Sequence, residues 1–243
     1  ATFQLRRYGW NGNLYISILT NFTDLVIYDC SIRPLEHDAP YTARIAHYHY
    51  TEYVEKFDEI YTLISRESVL NGAFEEKFSC ITSPLKKEPF NDYFLKQIRD
   101  WRDILANDVI SHHPTVDIEQ LNIYVQRILN RIIFLRICED REYERYESLK
   151  NLKSYSELKA IFQIAERKYN SGLFKLIDDG ELSISDSIII NIFQDIYYPN
   201  SSYEFSIVDP YIIGQIYELF LDEVISVDKE GTISISEKPE IID

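Results

Sequence analysis

The segment from Ile118 to Asp140 constrains the fold of this chain more than any other. Leu121, Val125, Ile128, Ile132, Leu135 and Cys138 recur at three- and four-residue steps, and Ile133, Phe134 and Ile137 widen the stripe until most of the circumference is apolar. A helix with so little polar surface belongs at the centre of a bundle. Asp117 or Thr115 can cap its start by accepting a hydrogen bond from an orphan backbone N–H. Arg127, Arg131 and Arg136 lie on the same segment and must either snorkel or find carboxylate partners.

A central helix needs neighbours, and the chain supplies them. Asp92 to Ser111 carries Phe94, Ile98, Trp101, Ile104, Leu105 and Val109 at helical spacing, then stops at His112-His113-Pro114, where proline disfavours continuation. Ser156 to Tyr169, Ser185 to Tyr197 and Pro210 to Val224 predict three more helices, the last with Asp209 at its N-cap and Pro210 at its first position. Tyr50, Tyr53, Val54, Phe57, Ile60, Tyr61 and Ile64 predict an earlier one with all seven on one face, and Ser65 an N-cap for a further helix over Ser68 to Phe78.

Strands are confined to the ends. Phe3 to Tyr8 reads as the end of a helix stopped by a left-handed Gly9, followed by strands at Tyr15 to Thr20 and Leu25 to Tyr28 around a polar turn. Val224 to Val227 and Thr232 to Ser236 flank Asp228-Lys229-Glu230-Gly231 as a closing hairpin. The expected fold is therefore mainly α, a helical bundle with a small N-terminal α/β part (a helix plus two strands) and a C-terminal β-hairpin.

Composition narrows the function. With 243 residues, 45% of them hydrophobic, the chain buries a substantial core as one elongated domain or two small ones. A formal net charge of -15 argues against a DNA-wrapping surface, because phosphate affinity comes from Lys and Arg displacing counterions. Arg6 and Arg7 are the local exception. Cys30, Cys80 and Cys138 lack any C-x-x-C pairing, which fits neither a disulfide framework nor a zinc knuckle and suits a reducing cytoplasm. No apolar run reaches the roughly 18 residues a membrane span requires, and Ala1 to Trp10 has no signal-peptide core, so no membrane partner is expected.

Catalytic signatures are sparse. Glu75-Glu76-Lys77 and Glu166-Arg167-Lys168 match E-x-K in letters, but both sit in helical patterns with no Pro-Asp before them, so solvated helix charges are preferred. Neither a Gly-rich cofactor turn nor an Asn-Pro-Pro-Tyr segment occurs. His47-x-His49 and His112-His113 lack a definable third ligand, and structural histidines are preferred. Arg136, Glu139, Asp140 and Arg141 read as an ion-pair network locking the central helix to its neighbours and to Tyr143 or Tyr146. Tyr169-Asn170-Ser171-Gly172-Leu173-Phe174 reads as a helix end with Gly172 left-handed and Leu173 and Phe174 as anchors.

Four segments, Arg131 to Arg141, Tyr169 to Phe174, Ile196 to Ser206 and Ile212 to Leu221, together resemble the helical region that joins the two activities of type IIG restriction enzymes, single chains that cut DNA and methylate adenine. Gln4-Leu5-Arg6-Arg7-Tyr8 fits Q-x-x-x-Y, which resembles the helix following the catalytic strands of PD-(D/E)xK nucleases. The resemblance implies that residues 1–44 end a nuclease domain, 45–208 form the connector, and 209–243 lead into a methyltransferase. It further implies that Gln4 and Tyr8, with Arg6 and Arg7 beside them, contact the DNA backbone. The chain itself would hold no catalytic, metal or cofactor residues; Mg and S-adenosylmethionine would serve the longer protein, and its partners would be double-stranded DNA and the flanking domains. A free-standing acidic helical module that binds a basic partner is the alternative.

Overall fold

The computed structural model describes residues 1–72, 89–175, 182–227 and 233–237. By compactness the chain divides into two units, Ala1–Tyr93 and Phe94–Asp243. The boundaries expected at 44/45 and 208/209 concern which activity each stretch serves, a matter compactness does not address. The expectations for Glu75-Glu76-Lys77, Cys80, the Ser68 to Phe78 helix beyond residue 72, the closing turn at 228–231 and the residues after 237 lie outside the described residues.

In the first unit, α1 (Thr2–Asn11) is followed by an antiparallel meander of β1 (Ile16–Thr20), β2 (Asp24–Asp29) and β3 (Arg44–His49). Ile18 faces Ile27 across the first pair and Ile27 faces Ala46 across the second. The turn between β1 and β2 closes as its sequence predicts: the Asn21 carboxamide accepts from the N–H groups of Thr23 and Asp24 at 3.1 and 2.7 Å, and Phe22 takes a positive φ of 69°. β3 was not foreseen as a strand pairing here. It covers an edge of β2 that would otherwise leave a row of backbone groups unpaired beside buried Ile27 and Tyr28.

The sheet is packed on both faces. Ile16, Ile27 and Tyr48 bury one face against Leu63 of α2 (Phe57–Ile64), with Ile60 and Ile64 at the margin. The predicted seven-residue stripe does not survive intact, because a 3₁₀ turn at Tyr50–Glu52 and a bend precede α2 and shift the helical phase. Val54 is consequently 92% exposed. Ser65 then caps α3 (Arg66–Leu70), accepting from Ser68 N–H at 3.2 Å. On the opposite face α1 lies against Ser17 and Cys30 through Gly9. Gly9 does not end the helix; α1 continues to Asn11, and the left-handed residue is Asn13. Trp10 is 1% exposed and stacks edge-on against Phe90 and Tyr93, with centroids 5.2 and 5.7 Å away.

The second unit is built around a helix. Following α4 (Phe90–His112), α5 (Ile118–Asp140) is capped by Asp117, whose carboxylate accepts from Gln120 N–H at 3.1 Å. Twelve of its residues are buried, among them Leu121, Ile128 and Leu135, which places it at the core as its periodicity requires. α6 (Tyr155–Tyr169), α7 (Asp186–Ile196) and α8 (Tyr211–Asp222) follow; Asp209 accepts from Tyr211 N–H at 2.8 Å, but the N-cap position of α8 is Pro210 rather than the expected Asp209. β4 (Glu223–Val227) and β5 (Ile233–Glu237) pair antiparallel with Ile225 opposite Ile235. Asn122 of α5 ties the hairpin down: its carboxamide donates to Ile225 C=O at 2.9 Å and accepts from Ile225 N–H at 2.8 Å, satisfying both backbone groups of a residue 1% exposed. Among the described residues, no helix is long and apolar enough to cross a membrane.

Candidate functional site

Two places hold the side chains singled out from the sequence, one in each unit. In the first, Gln4 and Tyr8 are one helical turn apart, so α1 presents both on its outer face. Gln4 Nε2 donates to Tyr8 Oη at 3.2 Å, and Tyr8 is 41% exposed. Arg7 is half-buried. Arg6 is fully buried instead: two residues after Gln4 it points about 200° round the helix, into the unit. Its Nη1 donates to Asp38 Oδ2 at 2.7 Å, and the same oxygen accepts from Leu35 N–H at 2.9 Å. Arg6 Nε and Nη2 are buried with no hydrogen-bond partner among the described residues. The structure therefore brings Gln4 and Tyr8 together on the surface and commits the Arg6 charge to an internal ion pair. Cys30 lies behind α1, its thiol donating to Ser17 Oγ at 3.1 Å; burial pushes that thiol up to about 11.

The second place is the C-terminal end of α5. Arg136, 1% exposed, is paired with Asp140 and lies 3.6 Å from Glu139, and its guanidinium sits over the Tyr197, Tyr146 and Phe205 rings at 4.5, 5.3 and 5.6 Å. Glu139 accepts from Ser148 Oγ at 2.5 Å, Leu149 N–H at 3.1 Å and Tyr197 Oη at 2.5 Å. Asp140 accepts from Phe205 N–H at 2.8 Å, and Arg141 reaches the Phe205 and Val208 carbonyls. Burial raises the Asp140 carboxyl despite the Arg136 charge, and raises the Tyr197 phenol, which the Glu139 carboxylate reinforces. One turn of helix thus ties together the 141–149 loop, the end of α7 and the 205–208 segment. Tyr197, rather than Tyr143, is the aromatic partner, joined by Tyr146. Arg131, also buried, meets the backbone carbonyls of Leu173 and Lys175 at 2.8 Å each.

The remaining candidates have structural partners. Glu166 of the second E-x-K match accepts from the N–H groups of Gly172 and Phe174 at 3.3 and 3.2 Å, pinning the exit of α6, where Gly172 has φ 75° and Phe174 is fully buried. The helix ends two residues before Gly172, on a left-handed Asn170. His47 Nε2 pairs with Asp24 Oδ1 at 2.7 Å, His49 Nδ1 with Thr51 Oγ1 at 2.9 Å, and His113 Nε2 with Ser183 at 3.1 Å. Among the described residues no group of three His, Cys, Asp or Glu converges as a metal site. The Asn122–Ile225 clamp and the Tyr197–Glu139 bond went unforeseen, since neither polar residue belongs to a local motif.

The chain is 44% identical over 244 residues to the type II restriction enzyme and methyltransferase RM.Eco57I of Escherichia coli. That similarity takes in 99% of this chain and 24% of the relative, so the chain spans about a quarter of that protein's length. The expected resemblance, to a stretch of a chain that is both restriction enzyme and methyltransferase, is borne out by it. No family model matches, and no solved structure matches.

Proposed function

We propose that this chain is the spacer of a bifunctional restriction and adenine-methylation enzyme, holding the DNA-cutting part at a set distance and orientation from the parts that methylate and read sequence. The observation that carries the reading is similarity over nearly the whole chain to one quarter of an enzyme with both activities. The second unit suits the role. Its helices are cross-tied by the buried hub on Arg136, Glu139 and Asp140, and packed helices hold one geometry where a flexible linker spreads over many. Double-stranded DNA is the partner of the longer protein; Mg would serve its cutting site and S-adenosylmethionine its methylating site, each on residues outside those described.

Within this reading α1 is the last helix of the nuclease part, and Gln4 and Tyr8 position the phosphate backbone there. Arg6 supports them from within by fixing α1 through Asp38. The test is made in the intact enzyme with Gln4→Ala and Tyr8→Ala, measuring cutting and methylation on one DNA substrate. Cutting should fall while methylation stays near normal; equal loss of both would mean that the two residues support the fold alone.

A further inference from the structure

Helix α8 is apolar on two sides, and the second unit covers one. Ile212, Ile216, Leu219 and Phe220 are buried, whereas Tyr211, Ile213, Tyr217 and Leu221 remain 46–63% exposed. Ile213, Tyr217 and Leu221 recur at steps of four with Gly214 beside them and form a second stripe along the helix, while Tyr211 lies at its edge. A surface helix ordinarily turns polar residues to that side. Here the stripe also continues into an apolar recess of about 210 Å³ between α5 and α8, floored by Ile133, Phe134 and Ile137, with Asn130 its one polar lining residue. At Gly214 the surface is bare: a Cβ built there meets nothing within 4 Å, leaving room for another backbone to approach closely.

The charges bordering this face decide what fits it. The charged residues of α8 are Glu218 and Asp222, Asp209 stands just before it, all three are exposed, and the helix carries no basic residue. Arg141, which borders the neighbouring smaller recess with Ile137 and Ile213, is turned onto the Phe205 and Val208 carbonyls. A second copy of the chain would set this acidic rim against its own kind. We propose that the face docks an amphipathic helix whose apolar stripe is bordered by Lys and Arg. Such a partner fills the recess with one large side chain, crosses at Gly214, and pairs its cations with Glu218 and Asp222. The proposal stands apart from the cutting and methylating roles above, and its test uses neither activity.

The probe is a fluorescein-labelled synthetic peptide of about 18 residues, long enough for several helical turns, with Leu on one face and Lys on the other. Binding to this chain is followed by anisotropy, beside a scrambled peptide of the same composition and a Leu/Glu counterpart. The Leu/Lys peptide should bind at least about tenfold more tightly than either control. Tyr217→Lys and Gly214→Arg should each weaken it by about tenfold or more, since one places like charge on the rim and the other blocks close approach. Both positions are exposed, and unchanged circular dichroism with a melting temperature no lower than that of the unaltered chain establishes that each variant is folded. Equal binding by the scrambled peptide, or undiminished binding by the folded variants, overturns the proposal. So does a self-associated chain in sedimentation that Tyr217→Lys dissociates, which would assign the face to a second copy.

Discussion

Gly9 carries no side chain because α1 lies against the sheet there. A Cβ at that position falls well inside contact distance of Cys30 Sγ and Ser17 Oγ, and 3.1 Å from Cys30 Cβ. Gly9→Ala should therefore destabilise the chain by about 1–3 kcal/mol through overpacking, read from urea unfolding. Gly214→Ala is the opposite case, an open helical site where alanine should add about 0.5–1 kcal/mol. The sequence showed a glycine at Gly9 but not its reason: a helix stop and a close approach look alike until the opposing strand is known. Glu144 permits a prediction in pH. Burial raises its carboxyl, but hydrogen bonds from Lys168 at 2.7 Å and Tyr169 at 2.6 Å outweigh it and leave the group below its usual value of 4.5. A lowered carboxyl stabilises the folded state above the unfolded value, and that stabilisation is lost as pH falls through the folded one. The stability difference between the native chain and Glu144→Gln should accordingly shrink as pH drops below 4.5. A difference that stayed constant down to the acid transition would contradict the assignment.

At the scale of elements, the helices of the second unit were largely legible because each carries its own period and its own cap. Asp117 and Ser65 each cap the helix expected of them, and Asp209 holds the first N–H of α8 from one residue ahead of its N-cap. Ile128 and Ile123 separate periodicity from mere apolarity: both lie on α5, yet Ile128 is fully buried and Ile123 is 41% exposed. Ile128→Ala should cost about 2–5 kcal/mol and Ile123→Ala no more than about 0.5 kcal/mol in the same denaturation assay. What the sequence concealed were features set by tertiary partners. β3 exists because β2 has an edge to cover, and the Tyr50 to Ile64 stripe splits because the chain bends before Phe57. Arg6 illustrates the same limit within the candidate site, since its basic character suggested phosphate and its helical phase sent it to Asp38. Gln4 and Tyr8 were legible together because an i, i+4 pair shares a face whatever lies beneath it.

For the whole molecule, the proposed spacer works only if the second unit is stiff, and one buried cross-tie between its helices is where Tyr197 meets Glu139. That bond, 2.5 Å long and buried, links α7 to the end of α5 beside the Arg136–Asp140 pair. Removing the hydroxyl leaves a carboxylate oxygen short of a donor and should cost about 1–3 kcal/mol, enough to loosen the helices while the chain stays folded. The direct measurement is made in the intact enzyme carrying Tyr197→Phe, with cut positions mapped at nucleotide resolution and methylation assayed in parallel, and with Ile123→Ala as a control. A spacer predicts that the variant cuts over a wider spread of positions while the same adenine is methylated. Cut positions as sharp as in the unaltered enzyme, from a variant measurably less stable, would contradict it.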